Sequence, residues 1–324
     1  MPPTSLTPRR RAGATAVHSL HRFAFSVPDL DRAQDFYDAF GLDVRRSEGR
    51  LDLYAHGNPH RWASIHGGSG AKRLEYVSFA AFPEDYDKLI AGIERMGIKT
   101  EPHRLAEETG IWFRDPDGNA VQLLVGDKAS PAEKSQATAA ADVPEGKGKA
   151  PGRSRVQRVQ PRRLSHILLF SSDVSRSVRF YGDALGLRLS DHSGDIIAFM
   201  HGAHASDHHM VAFAKSEGPG LHHSSWDVGS FDDVGQGMQQ MIDRGYPDGW
   251  GVGRHVIGSN YFRYVRDPWG SFAEYSYDID FIPADVDWPA GDHDPADSFY
   301  VWGPPVPDYF IVNHETAARA PTGA

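Results

Sequence analysis

The 324-residue chain contains no cysteine. That absence excludes disulfides, thiolate metal sites and thiol nucleophiles, and it suits a protein that works in a reducing cytoplasm. Long apolar runs are missing as well. No 18 apolar residues follow one another, so no membrane span is expected. An excess of basic charge is the third absence. With 34 Lys and Arg against 43 Asp and Glu, the net charge is −9, which argues against a nucleic-acid partner. Residues 1–15 carry Arg9, Arg10 and Arg11 with no apolar core behind them. They read as a disordered arm, not a signal peptide.

Without thiolates, a bound metal has to be held by His, Asp or Glu. Histidine is abundant: 17 residues, of which 11 follow residue 160. The chain is long enough for two domains, each with a core that needs no covalent staple.

What organises the sequence is an internal repeat. Residues 20–42, LHRFAFSVPDLDRAQDFYDAFGL, match residues 164–187, LSHILLFSSDVSRSVRFYGDALGL. Asp29, Phe36 and Tyr37 recur as Asp173, Phe180 and Tyr181, each 144 residues later. Both copies read as a strand, an Asp, a helix with Phe-Tyr on its apolar side, and a terminating Gly. The ends match too. IWFRDPDGNAVQLL (111–124) and YFRYVRDPWGSFAEYS (261–276) each place Asp-Pro-x-Gly between two β-rich runs, the pattern of a hairpin. Amphipathic helices near 84–96 and 231–244 close at Gly97 and Gly245. Each copy thus reads as a pair of βαβββ units, an α+β fold. The expected domains are 16–127 and 161–290. A mobile linker rich in Ala, Lys, Gly, Pro and Ser lies between them at 128–160. The tail, 291–324, holds FYVWGPPVPDYF (299–310), too apolar to hang free, and is expected to pack on the second domain.

This repeat and its hairpin ends resemble the vicinal-oxygen-chelate superfamily, and within it the two-domain type I extradiol dioxygenases. The resemblance covers about residues 16–282. It implies cupped mixed sheets, with a metal in the second domain and a structural first domain. The implied ligands are His166, His223 and Glu274. Two imidazoles and a carboxylate form a facial triad that leaves positions open on non-heme Fe(II). Manganese suits the same N,N,O set. By the repeat alignment these positions are Arg22, Tyr76 and Gln122 in the first copy, so the first domain has lost the site. The family fingerprint is met by Gly253-Arg254-His255, Tyr264, Asp267-Pro268-Trp269-Gly270 and Glu274, with Arg263 where an aliphatic residue or Phe is usual.

His209 matches the family's acid–base histidine, while Tyr264 and His255 match its substrate-binding pair. Taken alone, Tyr264 also reads as a strand aromatic and His255 as a loop histidine. Neighbours on a strand face opposite sides, so only one of His222 and His223, and one of His208 and His209, can face the cup. His223 and His209 are the choices that the family pattern makes. Alternation then sets Val211 and Phe213 on the face of His209. The remaining His192, His201, His204 and His293 read as solvated.

The resemblance implies ring cleavage of a catechol by O2, and assembly as a homo-oligomer. Leu168 and Trp250 near the ligands favour an uncharged catechol. Two other readings stay open: a glyoxalase-like isomerase or epimerase using another metal, and a metal-free small-molecule-binding protein.

Overall fold

The computed structural model describes residues 10–107, 109–138 and 144–317. Two mixed sheets carry the two copies. The first, of seven strands, has at its centre Val17–Val27, paired parallel to Arg61–Gly67 and antiparallel to Arg73–Ala81. The second, of nine strands, repeats that arrangement around Arg163–Ser171, paired parallel to Val211–Lys215 and antiparallel to Gly220–Asp227. Its two additional strands, Gly249–Arg254 and Gly291–Asp292, lie at its edges. In the first copy, residues 99–107 form no strand matching Gly249–Arg254. Pro102, which has no N–H to give a ladder, lies in that stretch.

The two copied helices show why the repeat is legible. Asp29 and Asp173 cap Leu30–Phe40 and Val174–Leu185, accepting from the backbone N–H groups of Arg32 and Arg176. Gly41 and Gly186 end them at φ of 101° and 69°. A Cβ at Gly41 would lie 2.1 Å from the Val159 carbonyl oxygen, and one at Gly186 2.4 Å from that of Thr15. Glycine is therefore required twice over, by conformation and by close approach.

The copies are joined through their hairpin turns. The Tyr181 hydroxyl donates to Asp115 Oδ2 at 3.1 Å. In the opposite sense, buried Lys72 pairs with buried Asp267. Apolar packing continues across the joint, where the rings of Phe40 and Tyr275 stack at 3.9 Å.

Several segments are better anchored than their composition suggests. Residues 1–9 of the expected arm lie outside the described residues. Arg10 pairs with buried Asp85, however, and the Arg11 backbone donates to His204. At the start of the expected linker, Lys128 Nζ reaches four backbone carbonyls, those of His18, Ser130, Pro131 and Ala205. Thr138 N–H donates to the Gly229 carbonyl at 2.7 Å. Polar groups in that stretch thus find backbone partners on both copies. After residue 282 the chain returns over the second sheet. Trp302 bridges to Arg254, and Glu315 accepts backbone N–H groups from Leu74 and Leu221. Among the described residues no helix is long and apolar enough to cross a membrane.

Candidate metal centre and its cavity

Strand register brings the three expected ligands together. Ser225 pairs with His166 on one side and with Glu274 on the other, and His223 lies two residues before it. The first copy has the same register, with Ser78 between Arg22 and Gln122 and Tyr76 two residues earlier. The correspondence of His166, His223 and Glu274 to Arg22, Tyr76 and Gln122 therefore holds in the structure.

His166, His223 and Glu274 are all buried, and one ligand atom from each lies within 4.8 Å of the other two. Glu274 Oε2 stands 3.4 Å from His166 Nε2 and 3.6 Å from His223 Nε2. Glu274 Oε2 and His223 Nε2 are buried without a hydrogen-bond partner. Two orphaned acceptors facing each other would be costly in a packed interior, and a cation between them removes that cost.

The hydrogen-bond network assigns the proton on His223. His222 Nε2–H donates to the Phe310 carbonyl at 2.7 Å, which leaves His222 Nδ1 as an acceptor. His223 Nδ1–H donates to it at 2.7 Å, so the lone pair of His223 sits on Nε2, toward Glu274. Burial pushes His223 well below the ordinary histidine range, and His222 and His166 push the same way. A neutral imidazole with a bare Nε2 is the form that binds a metal. Glu274 is oriented by Asn260, whose amide reaches Glu274 Oε1 at 3.1 Å and Ser276 Oγ at 3.0 Å.

His166 and His223 line a cavity of about 310 Å³, with Glu274 fully buried against them. His209, His255, Tyr264 and Asn260 line it beside the ligands, and Leu168, Phe170, Phe199, Ile257, Phe299 and Phe310 are among its apolar wall. Among the described residues, exposed Lys215 is the one Lys or Arg that lines it. His209 packs its ring 4.0 Å from that of His166. Burial drives His209 well below the ordinary histidine value, helped by His166, His208 and His223. His255 Nδ1–H donates to the Phe299 carbonyl at 2.8 Å, and its Nε2 accepts from the Tyr264 hydroxyl at 2.9 Å. Burial, and then the Glu274 carboxylate, hold the Tyr264 hydroxyl well above its ordinary value. The structure thus sets His166, His223, His209, Tyr264 and His255 around one cavity, with Glu274 against His166 and His223.

Four expectations need correction. The register shifts between Leu221 and His223, so alternation fails there and His222 lines the cavity as well as His223. His209 precedes the strand Val211–Lys215 and is not in phase with it. Val211 and Phe213 are buried in the apolar core, where Phe213 meets Tyr181. Trp250 does not line the cavity; it stacks behind Tyr264, with ring centroids 5.6 Å apart. His201 and His204 are buried, not solvated, and bond to Ser190 and Asp85. Arg263 is accommodated because its guanidinium donates to the carbonyls of Gly251 and Pro247. Asn260 and Asp191 were missed, since no motif or periodicity marks them, while His222 and His208 were weighed and set aside, although His222 lines the cavity and His208 bonds His209.

Comparison with known proteins agrees with this geometry. The Glyoxalase/Bleomycin resistance protein/Dioxygenase superfamily model matches residues 19–123 and 163–275. Metapyrocatechase 2 of Cupriavidus necator is 52% identical over 301 residues, which cover 93% of each chain. Among solved structures, the Mn(II)-bound glyoxalase from Novosphingobium aromaticivorans is 26% identical with a TM-score of 0.71, over 91% of this chain and 94% of that one. An extradiol ring-cleaving dioxygenase from Brevibacterium fuscum shares the fold at a TM-score of 0.73 and 22% identity, over 94% and 84% of the two chains. A match that spans both copies, and a relative with half its residues identical, place the chain in the Glyoxalase/Bleomycin resistance protein/Dioxygenase superfamily, among its extradiol dioxygenases.

Proposed function

We propose that the chain opens the ring of an uncharged catechol with O2, at an Fe(II) ion held by His166, His223 and Glu274. The observation that carries this is the pair of orphaned atoms, His223 Nε2 and Glu274 Oε2, facing each other beside an apolar cavity. Mn(II) fits the same donors. The catalytic domain is taken as residues 161–290, with 16–127 as a structural domain and 128–160 as the connection. The proposed setting is the cytoplasm, with the chain as a homo-oligomer. Exposed Val301, Trp302 and Ile311 on the tail support a face covered by another copy.

When bound, the metal would bring catechol and O2 together and let electrons pass between them. The chain does the rest. His255 positions Tyr264 by taking the bond from its hydroxyl proton, so that the Tyr264 oxygen is aimed to accept from a catechol hydroxyl. His209 stands against His166 to hold a proton and return it to oxygen later in the reaction. Leu168, Phe199 and Phe310 exclude water and receive the apolar edge of the ring. Catechol and O2 combine without loss of atoms into a ring-opened muconic semialdehyde-type product.

The test is to load the protein with Fe(II) without oxygen, add catechol, 3-methylcatechol or 2,3-dihydroxybiphenyl, and admit air. A yellow product that His223→Ala abolishes supports the reading. Metal binding with no catechol consumed would favour a glyoxalase-like isomerase, whose claim rests on the likeness to the Novosphingobium aromaticivorans structure.

A further inference from the structure

Two pairs of adjacent histidines meet through their Nδ1 atoms. In the first, His223 is backed by His222, which is anchored on a neutral acceptor, the Phe310 carbonyl. In the second, His209 Nδ1 lies 3.0 Å from His208 Nδ1, and His208 Nε2 lies 2.7 Å from Asp191 Oδ2. The anchor here is a carboxylate.

Asp191 is heavily bonded for one carboxylate. Oδ2 also accepts from Trp288 Nε1 at 3.1 Å, and Oδ1 accepts from the Gly291 N–H at 2.8 Å and His293 Nε2 at 2.9 Å. Burial raises its pKa, but the bonds from His208, His293 and Gly291 outweigh that and hold Asp191 well below the usual carboxylate range. His208 is fully buried, and its backbone is tied at both ends: its N–H to the Asp280 carbonyl at 2.6 Å, its carbonyl to Ser190 Oγ at 2.5 Å. Neither Asp191 nor His208 lines the cavity; His209 does.

We infer that Asp191 and His208 are positioning residues that hold the His209 ring in one orientation and one tautomer, its Nδ1 turned to His208 and its Nε2 toward the cavity. The inference rests on the reading of His209 as the group beside the substrate. Its logic is a chain of donors. An ionised Asp191 accepts only, so His208 donates to it from Nε2–H, and in the neutral ring Nδ1 is then the lone pair. His209 must then donate from Nδ1–H, which leaves Nε2 without a proton. The His222–His223 pair has no such charge at its anchor, which suits a histidine that only lends its lone pair.

The experiment is a double-mutant cycle on the Fe(II)-loaded full chain, with metal content and melting temperature recorded for each variant. Asp191→Asn is expected to lower kcat about tenfold or more, with KM and metal content little changed, and Asp191→Glu to restore part of it. His208→Gln, at the other link, should act in the same direction. In a His209→Asn background, Asp191→Asn should have no further effect on kcat, whereas a purely structural residue would still show its loss. A ¹⁵N spectrum of the histidines in the full chain should show His209 protonated at Nδ1, and that pattern should be lost in Asp191→Asn. If His209→Asn itself leaves kcat intact, the underlying reading of His209 is wrong. If His209→Asn lowers kcat while Asp191→Asn and His208→Gln do not, or if the Asp191→Asn loss persists in the His209→Asn background, the inference is overturned.

Discussion

Asn260 donates its side-chain amide to Glu274 Oε1 at 3.1 Å, and this leaves Oε2 as the oxygen that faces both His166 and His223. The carboxylate is thus aimed before any metal arrives. Groups that orient ligands in this way typically contribute about 10–100-fold to metal affinity. Asn260→Ala is expected to weaken Fe(II) or Mn(II) binding by about that factor, with the fold intact, as read by anaerobic metal titration and circular dichroism. Unchanged affinity would show that Glu274 is held by its own strand.

The joint between the copies offers a stability comparison. Lys72→Met leaves Asp267 with its charge buried and its cation gone, and is expected to cost about 3–5 kcal/mol. Tyr181→Phe removes one bond to Asp115, which keeps those from Asn119, and should cost about 1–2 kcal/mol. Urea unfolding of both variants checks the order, which should not reverse.

Buried histidines set the acid limit of the fold. Burial lowers His18 and His201 from 6.5 to about 3. Both stay neutral in the folded chain while the unfolded chain takes up protons below pH 6.5. Their contribution to stability is therefore complete above about pH 6.5 and is lost progressively as the pH falls toward 3. The melting temperature should drop across that window, and His18→Gln should make the drop shallower. A melting temperature independent of pH between 6.5 and 4 would contradict this.

The returning tail forms part of the cavity wall. Phe310→Ala removes a ring that packs on Tyr264, Phe272 and His222, and should cost about 3 kcal/mol or more in stability. It should also raise KM for catechols more than it lowers kcat, because Phe310 is a wall and carries no proton. Steady-state kinetics separates the two effects; a selective loss of kcat would assign Phe310 a different role.

Much of this arrangement was legible because the chain carries its own comparison. The offset that aligns Asp29 with Asp173 also aligns Arg22 with His166, so this candidate ligand position stood out as a difference within a repeat. The residues that aim those ligands were not legible. Asn260 reaches Glu274 only from the loop that leads into the strand Tyr261–Arg266, and Asp191 meets His208 only through the folding of the second sheet. Alternation misled at His222–His223 because a bulge adds a residue that no composition signals. The polar linker read as mobile because composition does not show that backbone carbonyls will gather around Lys128.

The central claim is that His166, His223 and Glu274 together hold the metal, and metal stoichiometry tests it most directly. The full chain would be dialysed against Fe(II) without oxygen and its iron measured, alongside His166→Ala, His223→Ala and Glu274→Gln, with folding of each checked by circular dichroism. The account predicts about one ion per chain in the parent and little in any folded variant, since each change removes one of only three protein ligands. Full occupancy in the folded variants would place the metal elsewhere and contradict the account.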